Sequence, residues 1–117
     1  MKYEQLIENL PVWNKFLNIE LAAECIKPVI TMHKTLMEEL NFVTQEKKSI
    51  LEKYNGRIAN GVVIIDNEED VNKYNADIEY LMNGEINVEP INLKSSNIGS
   101  KLSPALAITL KDLVNII

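Results

Sequence analysis

His33 is the only histidine and Cys25 the only cysteine of the 117 residues. They are the natural candidates for a base and a nucleophile. A general base needs a nucleophile within hydrogen-bond reach and a third group to orient it. On a helix, Cys25 and His33 stand about 12 Å apart along the axis, at about 1.5 Å per residue. That is too far for a thiolate–imidazole pair. Glu38 and Glu39 are near His33 in sequence, but no serine or cysteine is placed to be activated. His33 is expected on the helix at the boundary between core and surface, and Cys25 as a small core hydrophobe whose buried thiol is inert.

The run Asp66-Asn67-Glu68-Glu69-Asp70 invites a metal reading. Acids at 66, 68, 70 and 77 match the first, third, fifth and twelfth places of a calcium loop. The sixth place, however, is Val71 where the turn needs glycine, and the bidentate glutamate is replaced by Asp77. A helix across this stretch would also point the carboxylates in different directions. A solvated helix N-terminus, where the dipole favours acids, is the simpler expectation. Gly56, Gly61, Gly84 and Gly99 form no phosphate-binding loop, and no paired cysteines or histidines carry zinc spacing. Neither cofactor nor metal is expected, and the chain reads as non-enzymatic.

With catalysis set aside, binding side chains come forward. Trp13 is the single tryptophan in a chain with 6% aromatics, and Phe16 lies one turn on. Exposed aromatics often anchor interfaces. The competing reading packs both on a long helix, and a core so poor in aromatics favours that use. Glu68, Glu69 and Asp70 form a second candidate protein-binding group. The chain closes on Val114-Asn115-Ile116-Ile117, and apolar ends of this kind dock onto something, so Ile116 and Ile117 make a third.

The elements that must position these residues follow from apolar periodicity. The length fits one domain, residues 1–117. Its first part, 1–18, is a short helix stopped by Pro11 and then the apolar patch of Val12, Trp13, Phe16 and Leu17. From 19 to 54 apolar residues recur three or four apart: Ala22, Cys25, Val29, Met32, Leu36, Leu40, Val43, Ile50 and Tyr54. The stripe weakens where Lys47 falls, and its first half is widened by Ile26, Ile30 and Met37. Pro28 removes a backbone donor and predicts a bend or break.

Asn55-Gly56 ends that helix, with glycine suited to the left-handed position. Asn60-Gly61 beside the β-branched run Val62–Ile65 predicts a hairpin or single strand over 57–65. A helix follows over 67–83, capped by Asp66 or Asn67, with Val71, Tyr74, Ile78 and Leu81 as its stripe. Residues 85–93 alternate around Pro90 as an edge strand. The loop 94–102 leads to a C-terminal helix, 103–117, opened by Ser103-Pro104. The fold class is α+β, mostly α: a long helix with a shorter antiparallel partner and a small β element. That partner covers only the C-terminal half of the long helix. The N-terminal patch and the final helix are available for the other half, and failing them another subunit. Ile26, Val29, Ile30, Met37 and Leu40 are divided between core and interface.

The net charge is −5. Residues 1–57 hold eight basic and eight acidic side chains, whereas residues 66–89 hold eight acids against Lys73 alone. The second segment repels phosphate backbones and suits a basic protein surface, so direct nucleic-acid binding is not expected. A lone cysteine admits no internal disulfide and fits a reducing compartment. No apolar stretch reaches the ~18–20 residues of a membrane span, and the first residues lack a signal-peptide core.

A long charged helix ending EKYNG leads through a turn into NEEDVNKYNADIEYLMNGEINVEPINL. There a helix of the form KYNxxxxxLxN runs into a strand of the form ExNxEPI, followed by a loop and a leucine-rich helix. Over about two thirds of the chain, this order resembles a domain-of-unknown-function family of small phage proteins, often encoded near tail or lysis genes of phages of Gram-positive bacteria. The resemblance implies a phage accessory or virion-assembly protein, in the host cytoplasm or the assembled virion. It brings no functional residues with it. The expected partners are further copies of the chain, or another phage or host protein, without membrane contact. The alternative is a phage-encoded regulator that places the acidic 66–89 segment in a basic groove of a host protein.

Overall fold

A computed structural model describes residues 1–99 and 102–117. The fold is α+β, mostly α. Helix α1 spans Tyr3–Leu17 and α2 spans Ala23–Lys53. Strands β1 (Arg57–Ala59) and β2 (Val62–Ile64) follow, then α3 (Glu68–Met82), β3 (Ile91–Leu93), α4 (Pro104–Thr109) and β4 (Val114–Ile116).

Pro11, expected to stop a helix, and Pro28, expected to bend or break one, both lie inside helices. α1 runs through Pro11 and α2 through Pro28 without a break. A proline inside a helix costs about 3 kcal/mol locally. Buried side chains on both sides offset it: Leu6 against Trp13 and Phe16 around Pro11, and Cys25 against Val29 and Met32 around Pro28. Both prolines are themselves exposed. The carbonyls that lose a donor therefore lie on the water side of each helix.

α2 starts at Ala23 instead of residue 19 because the backbone before it is committed elsewhere. Leu21 bridges Ile98, Ala22 N–H donates to the Asn97 carbonyl at 2.9 Å, and Gly99 N–H donates to the Glu20 carbonyl at 2.7 Å. A Cβ on Gly99 would stand 2.9 Å from that same oxygen, so only glycine allows the approach. The expected loop 94–102 thus contains a 3-10 turn at Ser95–Asn97, and its residues 100 and 101 lie outside the described ones.

The stripe on α2 is where periodicity put it, with Cys25, Val29, Met32, Leu36 and Val43 buried. α1 covers the N-terminal half of α2, and with it come Leu110, Leu113 and Val114. The expected 103–117 helix is a correction. α4 ends at Thr109, and Val114–Ile116 forms β4, parallel to β3. Branched Cβ atoms make this run a better strand than helix. The expected strand over 85–93 shrinks to Ile91–Leu93 after Pro90, with a separate bridge from Glu85 to Lys2.

α3 lies antiparallel along the C-terminal half of α2. Its cap is Asn67, whose side chain accepts from Glu69 N–H at 2.8 Å. Between the two helices stands the β1–β2 hairpin, turned by Asn60 and Gly61, both at positive φ. The molecule is a rod, 56 × 27 × 19 Å. Its radius of gyration is 17.8 Å, against about 13 Å for a compact chain of this length.

Trp13 shows how the core is pinned. It is fully buried, and its indole N–H donates to His33 Nδ1 at 3.1 Å. Removing the acceptor leaves a buried donor without a partner, which costs about 1–3 kcal/mol. His33→Ala is expected to lower unfolding stability by that amount in urea titrations, with unchanged slope. In a Trp13→Phe background, where the donor is gone, the same substitution is expected to cost much less.

Candidate interaction surface

The structure removes the first expected binding pair. Trp13 and Phe16 are both fully buried, with ring centroids 5.4 Å apart, and their surroundings are α1 and α2. Aliphatic residues alone could not fill this end of the rod, so the two large rings are drawn inward. They are core, not interface. Ile116 is likewise half-buried against the core as part of β4, while Ile117 is 70% exposed with its backbone N–H bound to the Leu93 carbonyl at 2.8 Å. Ile116 therefore packs within the chain, and only the Ile117 side chain stands free. Glu68 and Glu69 are exposed, and Asp70 is half-buried.

Four of the eight acids of the 66–89 segment are tied to separate cations of the chain. Asp66 faces Arg57 at 3.5 Å, and Glu69 pairs with Lys73 one turn on at 3.4 Å. Glu85 meets the Met1 amino group at 3.1 Å. Asp77 accepts from the Tyr54 hydroxyl at 2.6 Å and from Lys53 at 3.3 Å. Of the carboxylates named for a calcium loop, Asp66 and Asp77 thus turn to separate partners, and the described residues contain no group of three or more metal-ligating side chains. Cys25 is buried, and His33 uses Nδ1 to hold Trp13.

Two joints set the geometry of the rod. At the first, Tyr3 joins three helices. Its N–H donates to the Gly84 carbonyl at 3.1 Å, and its hydroxyl donates to Glu39 at 2.7 Å. Its ring lies 5.9 Å from that of Phe42. Burial, then the Glu39 carboxylate, pushes the Tyr3 hydroxyl up to about 12. At the second joint, Asp77 is held at the last turn of α2. The Tyr54 hydrogen bond, then the Lys53 ammonium, draws its carboxyl below the usual range. Glu68–Ala76 precede this anchor on α3, and since α3 runs antiparallel to α2 the geometry directs them beyond Lys53. They span about 13 Å, at about 1.5 Å per residue.

The surface left over lies between these parts. Residues of α2, the hairpin and α3 enclose a cleft of about 620 Å³. Lys47, Lys48 and Leu51 form its α2 wall, Ile58 and Val63 its hairpin wall, and Tyr74 stands on the α3 side. Ile58 and Val63 are paired across the hairpin and so share a face. They are 65% and 40% exposed. The cleft is kept open by sequence. Lys47 occupies the position where the α2 stripe calls for an apolar residue, and its charged head must reach water. Gly56 brings the hairpin close, since a Cβ there would collide with Leu51 Cδ1. The left-handed residue after α2 is Asn55, not the glycine, which is needed here for space.

None of Lys47, Lys48, Leu51, Ile58, Val63 and Tyr74 stood out as a site residue in the sequence. The interruption at Lys47 was the signal. A second apolar patch, Ile26 and Ile30 on α2, is 48% and 61% exposed. This divides the five residues expected to be shared between core and surface: Val29 inside, Met37 and Leu40 half-buried, Ile26 and Ile30 outside.

The second joint carries a pH signature. Because the folded pKa of Asp77 is lowered, its contribution is present above the unfolded value of about 3.9 and is lost as pH falls through the folded value. Asp77→Asn is expected to lower the melting temperature at neutral pH. The gap to the wild type is expected to close on acidification below about pH 4, as followed by circular dichroism. Compared with protein-family models, curated proteins and solved structures, the chain matches none.

Proposed function

We propose that this chain is a non-enzymatic assembly or accessory protein of a phage-like particle, working as an oligomer through protein–protein contacts. The observation that carries the reading is the apolar cleft and hairpin at one end of the rod. Ile58 and Val63 stand exposed on one face of a two-stranded hairpin, with Val62 exposed on the other. A hairpin of this size is marginally stable by itself, and its apolar face gains most by being covered. The phage setting is supported by the resemblance of the EKYNG helix end and the segment through EPINL to small phage proteins. No helix among the described residues is long and apolar enough to cross a membrane, so the exposed side chains are read as protein-facing.

The regulator reading finds less support. A charge mimic needs its carboxylates in one field, whereas Asp66, Glu69, Asp77 and Glu85 are each tied to a cation of the same chain.

Light scattering after size exclusion, across about a hundredfold range of concentration, tests the proposal. The expected result is a mass at a multiple of 13.3 kDa. A mass fixed at the monomer value throughout would remove the oligomeric reading. Co-sedimentation of the purified chain with phage particles tests the setting separately.

A further inference from the structure

Resting on that reading, we infer that the cleft end of the rod is the surface through which two copies meet, antiparallel and end over end. What occupies the cleft is the hairpin end of a second copy. The ground for choosing a second copy is the order of charges around the cleft. Lys47 and Lys48 lie on its α2 wall, roughly two turns before α2 ends at Lys53. Neither has an ion-pair partner among the described residues. Glu68, Glu69 and Asp70 lie on the first turn of α3, roughly two turns or more before the Asp77 tie to the end of α2. Glu69 pairs with Lys73, while Glu68 and Asp70 have no ion-pair partner among the described residues. Asp70 is one turn before Tyr74 and so shares the face of α3 that lines the cleft. Along the rod the order is therefore basic lip, apolar cleft, acidic tip.

Such an order is self-complementary. A two-fold axis through the cleft sets the acidic tip of each copy over the basic lip of the other, and both hairpins in the middle. In an isologous contact, residue i meets residue j and j meets i, which this order satisfies twice. The apolar centre of Leu51, Ile58, Val63 and Tyr74 supplies burial, and the flanking charges fix the direction of the pair. Glu52 also lines the cleft. It lowers the local charge without reversing it, so the lip stays basic within a chain of net charge −5.

The alternative occupants fit less well. A nucleic acid would meet the acidic tip at the same mouth. The cavity of about 450 Å³ beside Pro28 is bounded by Lys27 at one side and Glu89 at another, so it carries no net sign.

The test is a charge swap read by analytical ultracentrifugation. Lys47→Glu/Lys48→Glu and Glu68→Lys/Glu69→Lys are prepared in the full chain. Each is expected to weaken self-association by about tenfold or more, the scale of interfacial charge pairs. An equimolar mixture of the two is expected to restore it as a hetero-pair. Circular-dichroism melts separate loss of contact from loss of fold. Should the α3 variant melt early, the α2 variant, at half-buried Lys47 and exposed Lys48, decides alone if its own melt is unchanged. An oligomer unaffected by either reversal, or a mixture that fails to re-associate from two folded variants, overturns this surface and leaves the oligomeric reading standing. A wild-type chain that is monomeric throughout overturns both.

Discussion

One helix is longer than anything else in the chain can cover, and the rest of the structure follows from that. α2 has 31 residues, and the helices packed against it have 15 each. Neither α1 nor α3 can bury the full stripe, so they divide it. α1 takes the half that begins with Cys25, and α3 takes the half that ends at Tyr54. The division point is Tyr3, where the start of α1 and the end of α3 meet on the same turn of α2. Its hydroxyl needs Glu39, its N–H needs the Gly84 carbonyl, and Met1 reaches Glu85 beside it. A rod results because the two covering helices are placed end to end instead of side by side.

The two halves of the rod differ in how completely they are sealed. Around the first half, α4 and the β3–β4 pair close over α1 and α2, and nearly all fully buried side chains lie there. In the second half Val43 is the buried residue of α2, and α3 has none. A half-buried stripe of Val71, Tyr74, Ile78 and Leu81 gives α3 less area removed from water than the core helices have. Asp77, tied to Tyr54 and Lys53, adds a polar anchor between α3 and the end of α2.

Much of this was legible in the sequence, and the failures share a cause. The stripe from Cys25 to Val43, the Asn60-Gly61 turn, the Asn67 cap and the division of cover along the long helix follow from local patterns. The stop expected at Pro11 and the break weighed at Pro28 failed because local cost was weighed without the tertiary burial on either side. Val114–Ile116 misled because Leu106, Leu110 and Leu113 continue a helical spacing, while the partner strand that captures the next residues lies some twenty positions away. Trp13 was ambiguous for a different reason. Its N–H has to find an acceptor to go inside, and His33 supplies it only once α1 has folded back on α2.

The binding surface was hidden for the opposite reason: its sequence looks like ordinary hairpin and helix. Ile58 and the β-branched run through Val63 look like any strand pair, and a sequence cannot say that the layer they face is missing. What marks the place is a single inconsistency, a lysine at 47 inside an apolar period. Within the fold that lysine stops α2 from closing against the hairpin, and Gly56 at the same time holds the hairpin near. A chain selected only for stability would place an apolar residue at 47 and fill the gap, gaining about 1.5–3 kcal/mol from a fully buried aliphatic side chain. An open cleft, with exposed apolar walls and a charged lip, is the arrangement that suits a surface completed by another molecule.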